Sequence, residues 1–313
     1  MNLLASMRYL VALSEHRHFG RAAEACHITQ PALSNAVRAL EQEFKVVIVQ
    51  RGRAYAGLTP EGERVLATAQ RMLREHRVLE QELGSPAHRP RGPLRMGAVP
   101  TTVAVLARFA TLLQIQHPSI VPEVRVMTSR EIETGLENLS LDLALGYTGR
   151  MNADSTQLCA WPQYTEHYFL LRRAAQPHAE ELQVGPKIRW AEAAKLPLAL
   201  MFADMHNRSI VDGAFAAAGV AVKPALETNS VLALAMSALE GGVCAILPGA
   251  LVGAVRGYRQ LEALPLIDPQ VSTPIGFMGQ ASVRPSRVME AALVLAQDEA
   301  WLRHAAYSVL LPD

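Results

Sequence analysis

A predicted helix near the start of the chain carries polar side chains that suit contacts with DNA bases. Thr29 is a good N-cap and Pro31 fits the first turn, so the helix is predicted from Gln30 to about Phe44. Its polar face holds Gln30, Ser34, Asn35 and Arg38, and its apolar face holds Leu33, Ala36, Val37 and Leu40. In a major groove the arginine fork matches guanine, and asparagine or glutamine matches adenine. The polar face favours base contacts; a solvated surface helix is the alternative that this helix alone leaves open.

Other short elements are predicted to hold this helix in place. Apolar residues at helical spacing predict a first helix over residues 3–15, and an alanine-rich stretch predicts a second over residues 20–25. The segment Cys26-His27-Ile28 then forms a tight connection to the polar-faced helix. A hairpin is predicted near residues 46–58, with Arg51 and Arg53 near its tip.

An ordered run of motifs over about sixty residues resembles the LysR-type transcriptional regulators. That family couples an alanine pair in the second helix, a Ser/Thr-Gln-Pro-Ala-x-Ser helix start, a Leu-Glu pair and a Leu-Thr-x-x-Gly motif after the hairpin. The matching segments are Phe19-Gly20-Arg21-Ala22-Ala23, Ile28-Thr29-Gln30-Pro31-Ala32-Leu33-Ser34, Leu40-Glu41, Arg51 and Leu58-Thr59-Pro60-Glu61-Gly62. The complete series is far more specific than any one of its motifs.

The resemblance implies a winged helix-turn-helix DNA-binding domain over residues 1–58. Its DNA-contacting set would be Thr29, Gln30, Pro31, Ser34, Asn35, Arg38, Arg51 and Arg53. The two hairpin arginines would meet phosphate or the minor groove, whereas a solvated loop pair is the alternative. The sequence departs from the family at Lys45, where glycine is usual, and at Ile48-Val49, where Leu-Phe is usual. Because glycine there would end the helix in a left-handed conformation, Lys45 must accept that conformation with some strain or end the helix differently.

A long helix is predicted after the hairpin. Thr59 is its N-cap, Pro60 its first residue, and Glu61 and Glu63 lie near the positive end of its dipole. Apolar and seam residues then alternate by four and three: Val65, Ala69, Met72, His76, Leu79 and Leu83. Such a stripe predicts a partner helix and therefore a dimer, which the resemblance also implies. Packing of the first turn or two on the chain's own DNA-binding domain is the alternative. Residues 59–88 are thus expected to form a dimerisation helix and a hinge.

Strands and helices alternate beyond a linker rich in proline at residues 85–93. Strands are predicted near 94–99, 123–127, 141–145, 168–171, 198–201, 243–247 and 275–278. Helices are predicted between them, with one closing helix over residues 286–303. This alternation indicates parallel α/β sheets, in either one large sheet or two. The resemblance implies two sheets, one in each lobe of an α/β effector-binding domain over 89–313 that is like the periplasmic binding proteins. Lobe I would comprise about 92–163 and 269–304, and lobe II about 164–268.

Polar groups after the predicted strands indicate a ligand site. Ligands of open α/β sheets lie at the carboxyl ends of strands, where helix N-termini point N–H groups into a crevice. The residues so placed are Pro100, Thr101, Thr102, Ser129, Arg130, Gly146, Tyr147, Phe202, Asp204, Asn229 and Pro248. Hydroxyls, an arginine and helix N–H groups suit a small polar or anionic metabolite. Helix capping is the alternative role for the two threonines. The negative charge of Asp204 disfavours binding of an anion unless Arg130 or Arg208 pairs with it.

Composition limits the alternatives. The 313 residues are 50% hydrophobic and carry a net charge of +1, which is ordinary for a globular protein. Residues 1–58 hold seven basic and four acidic residues, a mild positive charge that suits contact with phosphate. No leader-like segment and no apolar run of membrane length stands out, so a cytoplasmic, nucleoid-associated protein without a membrane partner is expected.

Three other functions compete. An enzyme is disfavoured because hydrolase, metalloprotease, Walker and dinucleotide motifs are missing, so no catalytic residue, metal or cofactor is assigned. A transport binding protein would leave the first ninety residues unexplained. A redox sensor of the kind found in this family, with paired cysteines, is disfavoured because residues 198–211 lack cysteine and Cys26, Cys159 and Cys244 are widely spaced. The prediction is a DNA-binding transcriptional regulator, dimeric or tetrameric, with double-stranded DNA and a small effector as partners.

Overall fold

The computed structural model describes residues 2–50, 55–84, 90–150, 158–177, 179–281 and 285–308. The chain separates into two compact units. One is Met1–His88 with the short segment Asn138–Ser140, and the other comprises Arg89–Glu137 and Leu141–Asp313. We call the part of the first unit before residue 89 the head, and the second unit the sensor.

Four helices and a short β-bridge build the head. The helices are α1 (Leu3–His16), α2 (Phe19–Ala25), α3 (Gln30–Phe44) and α4 (Pro60–Gly84). An antiparallel bridge joins Val49 to Leu58 at the base of the predicted hairpin. Apolar faces of all four helices meet in two buried clusters, one around Leu10 and Leu40 and the other around Leu33 and Val37. The three leading helices of the sequence prediction are therefore present with nearly the predicted bounds.

Local hydrogen bonds explain where α3 and α4 begin. The Thr29 hydroxyl accepts from the Ala32 N–H at 3.4 Å, and the Thr59 hydroxyl accepts from the Gly62 N–H at 2.9 Å. Each threonine satisfies one N–H that the helix itself leaves open. Lys45 ends α3 with φ of 54°, so this lysine adopts the left-handed conformation in which the family usually places glycine.

The motif residues Glu41 and Gly62 hold the start of the hairpin. A carboxylate oxygen of Glu41 accepts from the N–H groups of Ile48 (2.8 Å) and Val49 (3.3 Å). A Cβ at Gly62 would lie 2.2 Å from the Ile48 carbonyl oxygen, so the close approach of α4 requires glycine. These contacts involve backbone atoms of residues 48 and 49. They therefore form with Ile48-Val49 as they would with the Leu-Phe pair that is usual in the family.

The first lobe of the sensor is built on a mixed sheet. Strands β1 (Gly92–Ala98), β2 (Ile120–Val126) and β3 (Leu143–Tyr147) are parallel, in the order β2-β1-β3. The last strand, β11 (Ser272–Gln280), pairs antiparallel with β3 and with β4 (Leu158–Arg173). The helices of the first lobe are α5 (Val103–Gln116), α6 (Ser129–Glu137), α11 (Arg287–Ala296) and α12 (Glu299–Ser308), with a 3₁₀ turn at Thr148–Arg150.

The second lobe uses the other end of β4. Beyond His167, β4 pairs antiparallel with β9 (Cys244–Pro248) and β10 (Leu261–Ile267). Parallel strands β7 (Leu198–Met201) and β8 (Leu226–Thr228) extend the sheet from β9, and the short strands β5 (Gln183–Val184) and β6 (Ile188–Arg189) pair with β10. Its helices are α7 (Trp190–Ala193), α8 (His206–Ala217), α9 (Val231–Glu240) and α10 (Gly249–Ala254).

Several predicted elements need correction. The strand predicted at residues 168–171 is the end of a 16-residue strand, β4, whose first half opens with four apolar residues in a row and includes Pro162. The single closing helix is two helices, because Asp298 accepts from the N–H groups of Ala300 and Trp301 and starts α12 anew. Strand β10 and helix α10 were not predicted, and the sheets are mixed rather than purely parallel.

Candidate functional site

The polar face of α3 is exposed, as a base-contacting face must be. Gln30, Asn35 and Arg38 are exposed and Ser34 is half-buried, while the apolar face is buried in the head. Thr29 and Pro31 are exposed at the start of the helix. The start of the preceding helix, α2, is fixed by His18, whose Nδ1 accepts from the N–H groups of Gly20 and Arg21. The polar face of α3 is therefore open to a partner, while the apolar face anchors the helix in the head.

The two hairpin arginines, Arg51 and Arg53, lie outside the described residues. The base of their hairpin is described, and its hydrogen bonds come from Gln50. The Gln50 N–H donates to the Gly57 carbonyl (3.0 Å), and its side-chain amide donates to the Leu58 carbonyl (2.8 Å). This base fixes where the hairpin leaves the head and returns to it.

The predicted seam of α4 divides into a buried part and an exposed part. Ala69 is fully buried in the core of the head and Val65 packs against the same core, which is the alternative that the sequence left open for the first turns. Farther along, Met72, Leu79 and Leu83 are 39%, 52% and 79% exposed. An apolar stripe therefore runs along the second half of α4, whereas Ala69 already packs within its own head.

A pocket in the sensor lies between residues of the two lobes. It has about 240 Å³ of empty space, part of it open to solvent. The lining residues are Val99, Pro100, Thr101, Thr128, Ser129, Tyr147, Met201, Met205, His206 and Asn207. Four of the predicted effector residues are among them, namely Pro100, Thr101, Ser129 and Tyr147.

Tyr147 joins the two lobes at the base of this pocket. Its hydroxyl lies 2.8 Å from the Thr101 hydroxyl and accepts from the Asn207 side-chain amide at 3.4 Å. Its ring packs edge-to-face on His206, with the centroids 4.8 Å apart. Burial raises the pKa of Tyr147 to about 12, so the phenol is neutral and can act as donor or acceptor.

Three helices begin at the pocket. Thr101 precedes α5, Ser129 begins α6, and His206 begins α8. Helix N-termini present unsatisfied N–H groups and a partial positive charge. None of the ten lining residues is a carboxylate, although the Glu131 carboxylate accepts from the N–H and the hydroxyl of Thr128 in the lining. The buried Ser129 hydroxyl oxygen has no hydrogen-bond partner among the described residues. The pocket is therefore electrostatically suited to an anion.

Positive charge near the pocket is limited. Burial, together with the nearby Arg150 guanidinium, lowers the pKa of His206 below its usual range, so its ring is neutral at pH 7. The Arg150 guanidinium lies 3.2 Å from the His206 ring nitrogen and also pairs with Glu133. The described lining thus offers N–H and hydroxyl donors rather than a fixed cation.

The other predicted effector residues do not line this pocket. The Thr102 hydroxyl donates to the Leu145 carbonyl, so its side chain holds β3 instead of capping α5, and Gly146 packs under Met278. Pro248 is buried before α10. Four residues are exposed elsewhere, namely Arg130, Phe202, Asp204 and Asn229. Arg208 pairs with Asp212 and Glu227 instead of Asp204.

Sequence reasoning missed the pocket residues of the second lobe. Helix α8 begins at His206, two residues before the predicted start, because its N-cap is Met205, which makes no side-chain capping bond. His206 and Asn207 were therefore assigned to a loop. A search for polar residues up to eight positions after each strand would have found them.

The three cysteines lie away from the pocket lining. Cys26 is in the head, Cys159 is on β4 and Cys244 is on β9. Burial raises the pKa of each thiol, which disfavours the reactive thiolate. Within the described ranges, three or more His, Cys, Asp or Glu side chains do not group in a way that could hold a metal ion. No described helix is long and apolar enough to cross a membrane.

Two family models together match most of the chain. The LysR substrate binding domain matches residues 87–301, and the bacterial regulatory helix-turn-helix protein of the lysR family matches residues 4–63. The boundary between the two matches falls near the boundary between the head and the sensor.

Individual proteins show the same similarity. The transcriptional dual regulator OxyR of Escherichia coli K12 is 26% identical over 284 residues, 88% of each chain. The SDS degradation transcriptional activation protein of a Pseudomonas species is 34% identical over 171 residues, 52% of this chain and 55% of that protein. A hydrogen peroxide-inducible genes activator of Pectobacterium carotovorum is 32% identical over 143 residues, and the match spans 47% of that protein, about half its length.

Solved structures share the fold. A full-length OxyR variant from Pseudomonas aeruginosa has a TM-score of 0.68 at 23% identity, covering 92% of this chain and 95% of that chain. CbnR complexed with its target DNA has a TM-score of 0.63 at 19% identity, covering 97% and 99%. The architecture of a helix-turn-helix head followed by a two-lobed α/β sensor is common to both.

Proposed function

Because this chain belongs to the LysR family of transcriptional regulators, we propose that α3 reads operator DNA and that the sensor pocket binds a small monoanion. Regulators of this family bind DNA through the head and a small-molecule effector through the sensor. The finer assignments are the base-contacting residues, the class of effector and the dimerisation helix. The convergence of three helix N-termini on a pocket without carboxylates carries the effector assignment.

The DNA-contacting residues are proposed from exposure and chemistry. Gln30, Asn35 and Arg38 are exposed on α3, with Ser34 beside them, and all can hydrogen-bond to base edges. Thr29 and Pro31 lie at the helix start, where the backbone approaches phosphate. Arg51 and Arg53 complete the set as backbone contacts in the hairpin.

Operator affinity of an Arg38→Ala variant tests the base contacts. A lost bidentate contact weakens operator binding by about 1–3 kcal/mol and relaxes discrimination at one base pair. Arg71→Ala, which removes an exposed arginine from α4, is the charge-matched control and should leave base discrimination unchanged. Equal operator affinities for Arg38→Ala and the wild type, at matched salt, would remove Arg38 from the base-contacting set.

The effector is proposed to be small. Part of the 240 Å³ is open to solvent, so the space enclosed by the lining residues is smaller than that figure. Pockets for drug-sized ligands begin at about 300 Å³. A short monocarboxylate or an inorganic monoanion fits these limits, with Ser129, Thr101 and Tyr147 donating to its oxygens.

Binding of matched small compounds tests the charge preference. We expect acetate to raise the melting temperature of the full chain more than acetamide of similar shape, and methylammonium not to raise it. Asn207→Ala should weaken the acetate effect, because the amide holds Tyr147 at the pocket, while Ser209→Ala on the exposed side of α8 should not. Stabilisation by the amide or the cation but not by acetate would refute an anion site.

Dimerisation is proposed through the exposed stripe on the second half of α4. Met72, Leu79 and Leu83, with His76 between them, leave an apolar seam that a second copy can cover, and Val65 borders it. Sedimentation of Leu79→Lys should show a shift toward monomer, whereas Thr68→Lys at an exposed position beside the seam should not. An unchanged distribution for Leu79→Lys would exclude this seam. A homodimer, or a homotetramer made of two such dimers, suits paired half-sites in DNA.

The peroxide response named for some relatives is not extended to this chain. Its pocket is lined by Met201 and Met205 but by no cysteine among the described residues, and all three thiols have raised pKa values. We propose a reversible ligand rather than a thiol pair as the signal. Serine at all three cysteine positions should then leave acetate-dependent stabilisation unchanged.

We propose the domain bounds as predicted: a DNA-binding domain at 1–58, a dimerisation helix and hinge at 59–88, and an effector domain at 89–313. In the last, lobe I comprises about 92–163 and 269–304, and lobe II about 164–268; β4 and the segment leading into β11 cross between them. Since the protein acts on chromosomal DNA, we place it in the cytoplasm with the nucleoid.

A further inference from the structure

A buried glutamate occupies the crossing between the two lobes. Glu166 lies on β4 opposite Thr273 of β11, and one residue further along His167 faces Ser272 in the last pair of those two strands. From Tyr168 onward β4 pairs with β9 of the second lobe. Glu166 is 1% exposed. A change in the relative position of the lobes must bend the chain close to this residue.

The carboxyl of Glu166 also ties down α10. One of its oxygens accepts from the Ala250 N–H at 3.0 Å. Ala250 follows β9 of the second lobe, yet its side chain is buried in the core of the first lobe. A single carboxyl therefore joins the crossing strand to a helix that contacts both lobes.

Hydrogen bonding around Glu166 is incomplete. The second carboxyl oxygen of Glu166 and the hydroxyl of Tyr164 lie near each other without the geometry of a full hydrogen bond, and neither has another partner among the described residues. The other titratable groups around the carboxyl are the phenols of Tyr147 and Tyr168, and the Tyr168 hydroxyl bonds to Thr273. Burial raises the pKa of Glu166 to about 8, and the N–H groups of α10 and the Tyr164 hydroxyl oppose that rise. The acid is consequently neutral at pH 7.

The glutamate and the pocket interact through Tyr147. Ile275 of β11 pairs with Tyr147 on one side and with Tyr164, two residues before Glu166, on the other. In keeping with this proximity, the Glu166 charge contributes to the raised pKa of Tyr147, which lines the pocket. A negative charge on Glu166 would therefore be felt by an anion bound beside that hydroxyl. Two like charges near one another in a buried region repel strongly, because little water screens them.

We propose that Glu166 controls the pocket through a proton, so that the pocket takes up its anion with Glu166 protonated and releases it when Glu166 ionises. This inference rests on the proposed anion site. The balance is simple: the ionised protein takes up one anion and one proton from water, and the only bond formed is the O–H bond of the Glu166 carboxyl. By linkage, ionisation of Glu166 lowers the affinity for the anion by a certain factor, and a bound anion lowers the ionisation constant of Glu166 by the same factor.

The test compares acetate affinity at several pH values in the full chain. Acetate is fully ionised between about pH 7 and pH 9.5. Over this range His206 stays neutral because its pKa is lowered, and the buried phenols stay neutral because their pKa values are raised. At constant ionic strength the wild type should lose affinity above about pH 8, by up to about tenfold per pH unit. Glu166→Gln, which keeps the shape and cannot ionise, should bind acetate with a constant affinity over that range.

Two further variants sharpen the result. Tyr164→Phe removes a hydroxyl that lowers the pKa of Glu166, so the pH at which affinity begins to fall should rise. Glu123→Gln, at an exposed position on β2, is the control and should follow the wild type. Wild-type affinity that stays flat to about pH 9.5 would overturn the proton link while leaving the anion site intact.

A measurement without ligand separates the two proposals. In urea unfolding, the wild type should lose stability relative to Glu166→Gln as pH rises from about 5 to about 8, because only the wild type carries the buried acid. If acetate fails to bind at any pH, the proposed effector class and the link to it both fall, whatever the unfolding curves show. If acetate binds but the two unfolding curves run parallel, Glu166 holds no unusual proton and only the link falls.

Discussion

Replacing Gly62 with alanine tests the closest backbone approach in the head. A Cβ there would lie 2.2 Å from the Ile48 carbonyl oxygen and 2.9 Å from its carbonyl carbon. Neither atom can swing aside like a side chain. The same carbonyl accepts from the Thr59 N–H at 2.9 Å, just before α4 begins. The start of the helix must therefore move away from the hairpin, and that hydrogen bond weakens.

The expected cost follows from three contributions. Overlap with backbone costs about 3 kcal/mol, at the upper end of overpacking. A weakened hydrogen bond adds about 1 kcal/mol. Alanine returns about 1 kcal/mol through its better helix propensity. The net loss of about 3 kcal/mol should speed hydrogen exchange in the cooperatively opening core of the head by about a hundredfold.

Hydrogen exchange of the full chain, followed by mass spectrometry, reports the head and the sensor separately. Gly213→Ala is the matched control, because nothing lies within 4 Å of a Cβ at this exposed position in α8. That variant should slow exchange in α8 by a few-fold, since helix propensity acts alone. If Gly62→Ala leaves exchange of α1 and α3 within twofold of the wild type, the close approach of α4 to the hairpin is wrong.

Three other substitutions probe buried polar groups. Gln163→Ala should lower the sensor's stability by about 2–3 kcal/mol in urea unfolding, because the Trp301 indole N–H, now 2.6 Å from the amide oxygen, loses its acceptor; Gln297→Ala, whose amide bonds an exposed carbonyl, should cost under about 0.5 kcal/mol. Arg208→Ala should lower the sensor's free energy of unfolding by about 2 kcal/mol, because the guanidinium bonds to two carboxylates and to the end of β7. A loss under about 0.5 kcal/mol would show that those contacts do not stabilise the sensor. Glu166 has a folded pKa of about 8 against an ordinary 4.5, so the stability it contributes is complete below about pH 4.5 and declines by about 3–5 kcal/mol up to pH 8; unfolding free energies that rise over this range relative to Glu166→Gln would contradict the sign.

Local signals explain which parts of the fold could be predicted. Helix α3 was placed correctly because Thr29 and Pro31 mark its first turn by chemistry that acts within four residues. Helix α8 was started too late because its N-cap, Met205, has no capping side chain. The length of β4 was hidden because pairing with β11 depends on residues more than a hundred positions away.

The same division applies to the pocket. Thr101, Ser129 and Tyr147 follow strands or open helices, so the rule of strand ends finds them. Asn207 reaches the pocket only because the second lobe folds against the first, which no local pattern encodes. Glu166 stands in the sequence between two other polar residues, Thr165 and His167, so no local signal marks it as buried. Its hydrogen bond to Ala250 comes from α10, an element that was not predicted.

The pairing of β4 with β11 has a consequence for how such sensors can be rearranged. His167 faces Ser272 across the ladder, so the chain leaves the first lobe and returns to it at neighbouring points. The intervening segment is thus an insertion whose two ends meet, the geometry in which modules are exchanged between proteins. Grafting the segment between these positions from one regulator into another would exchange one wall of the pocket and keep the head unchanged, provided that the graft retains alanine at position 250, which packs in the core of the first lobe.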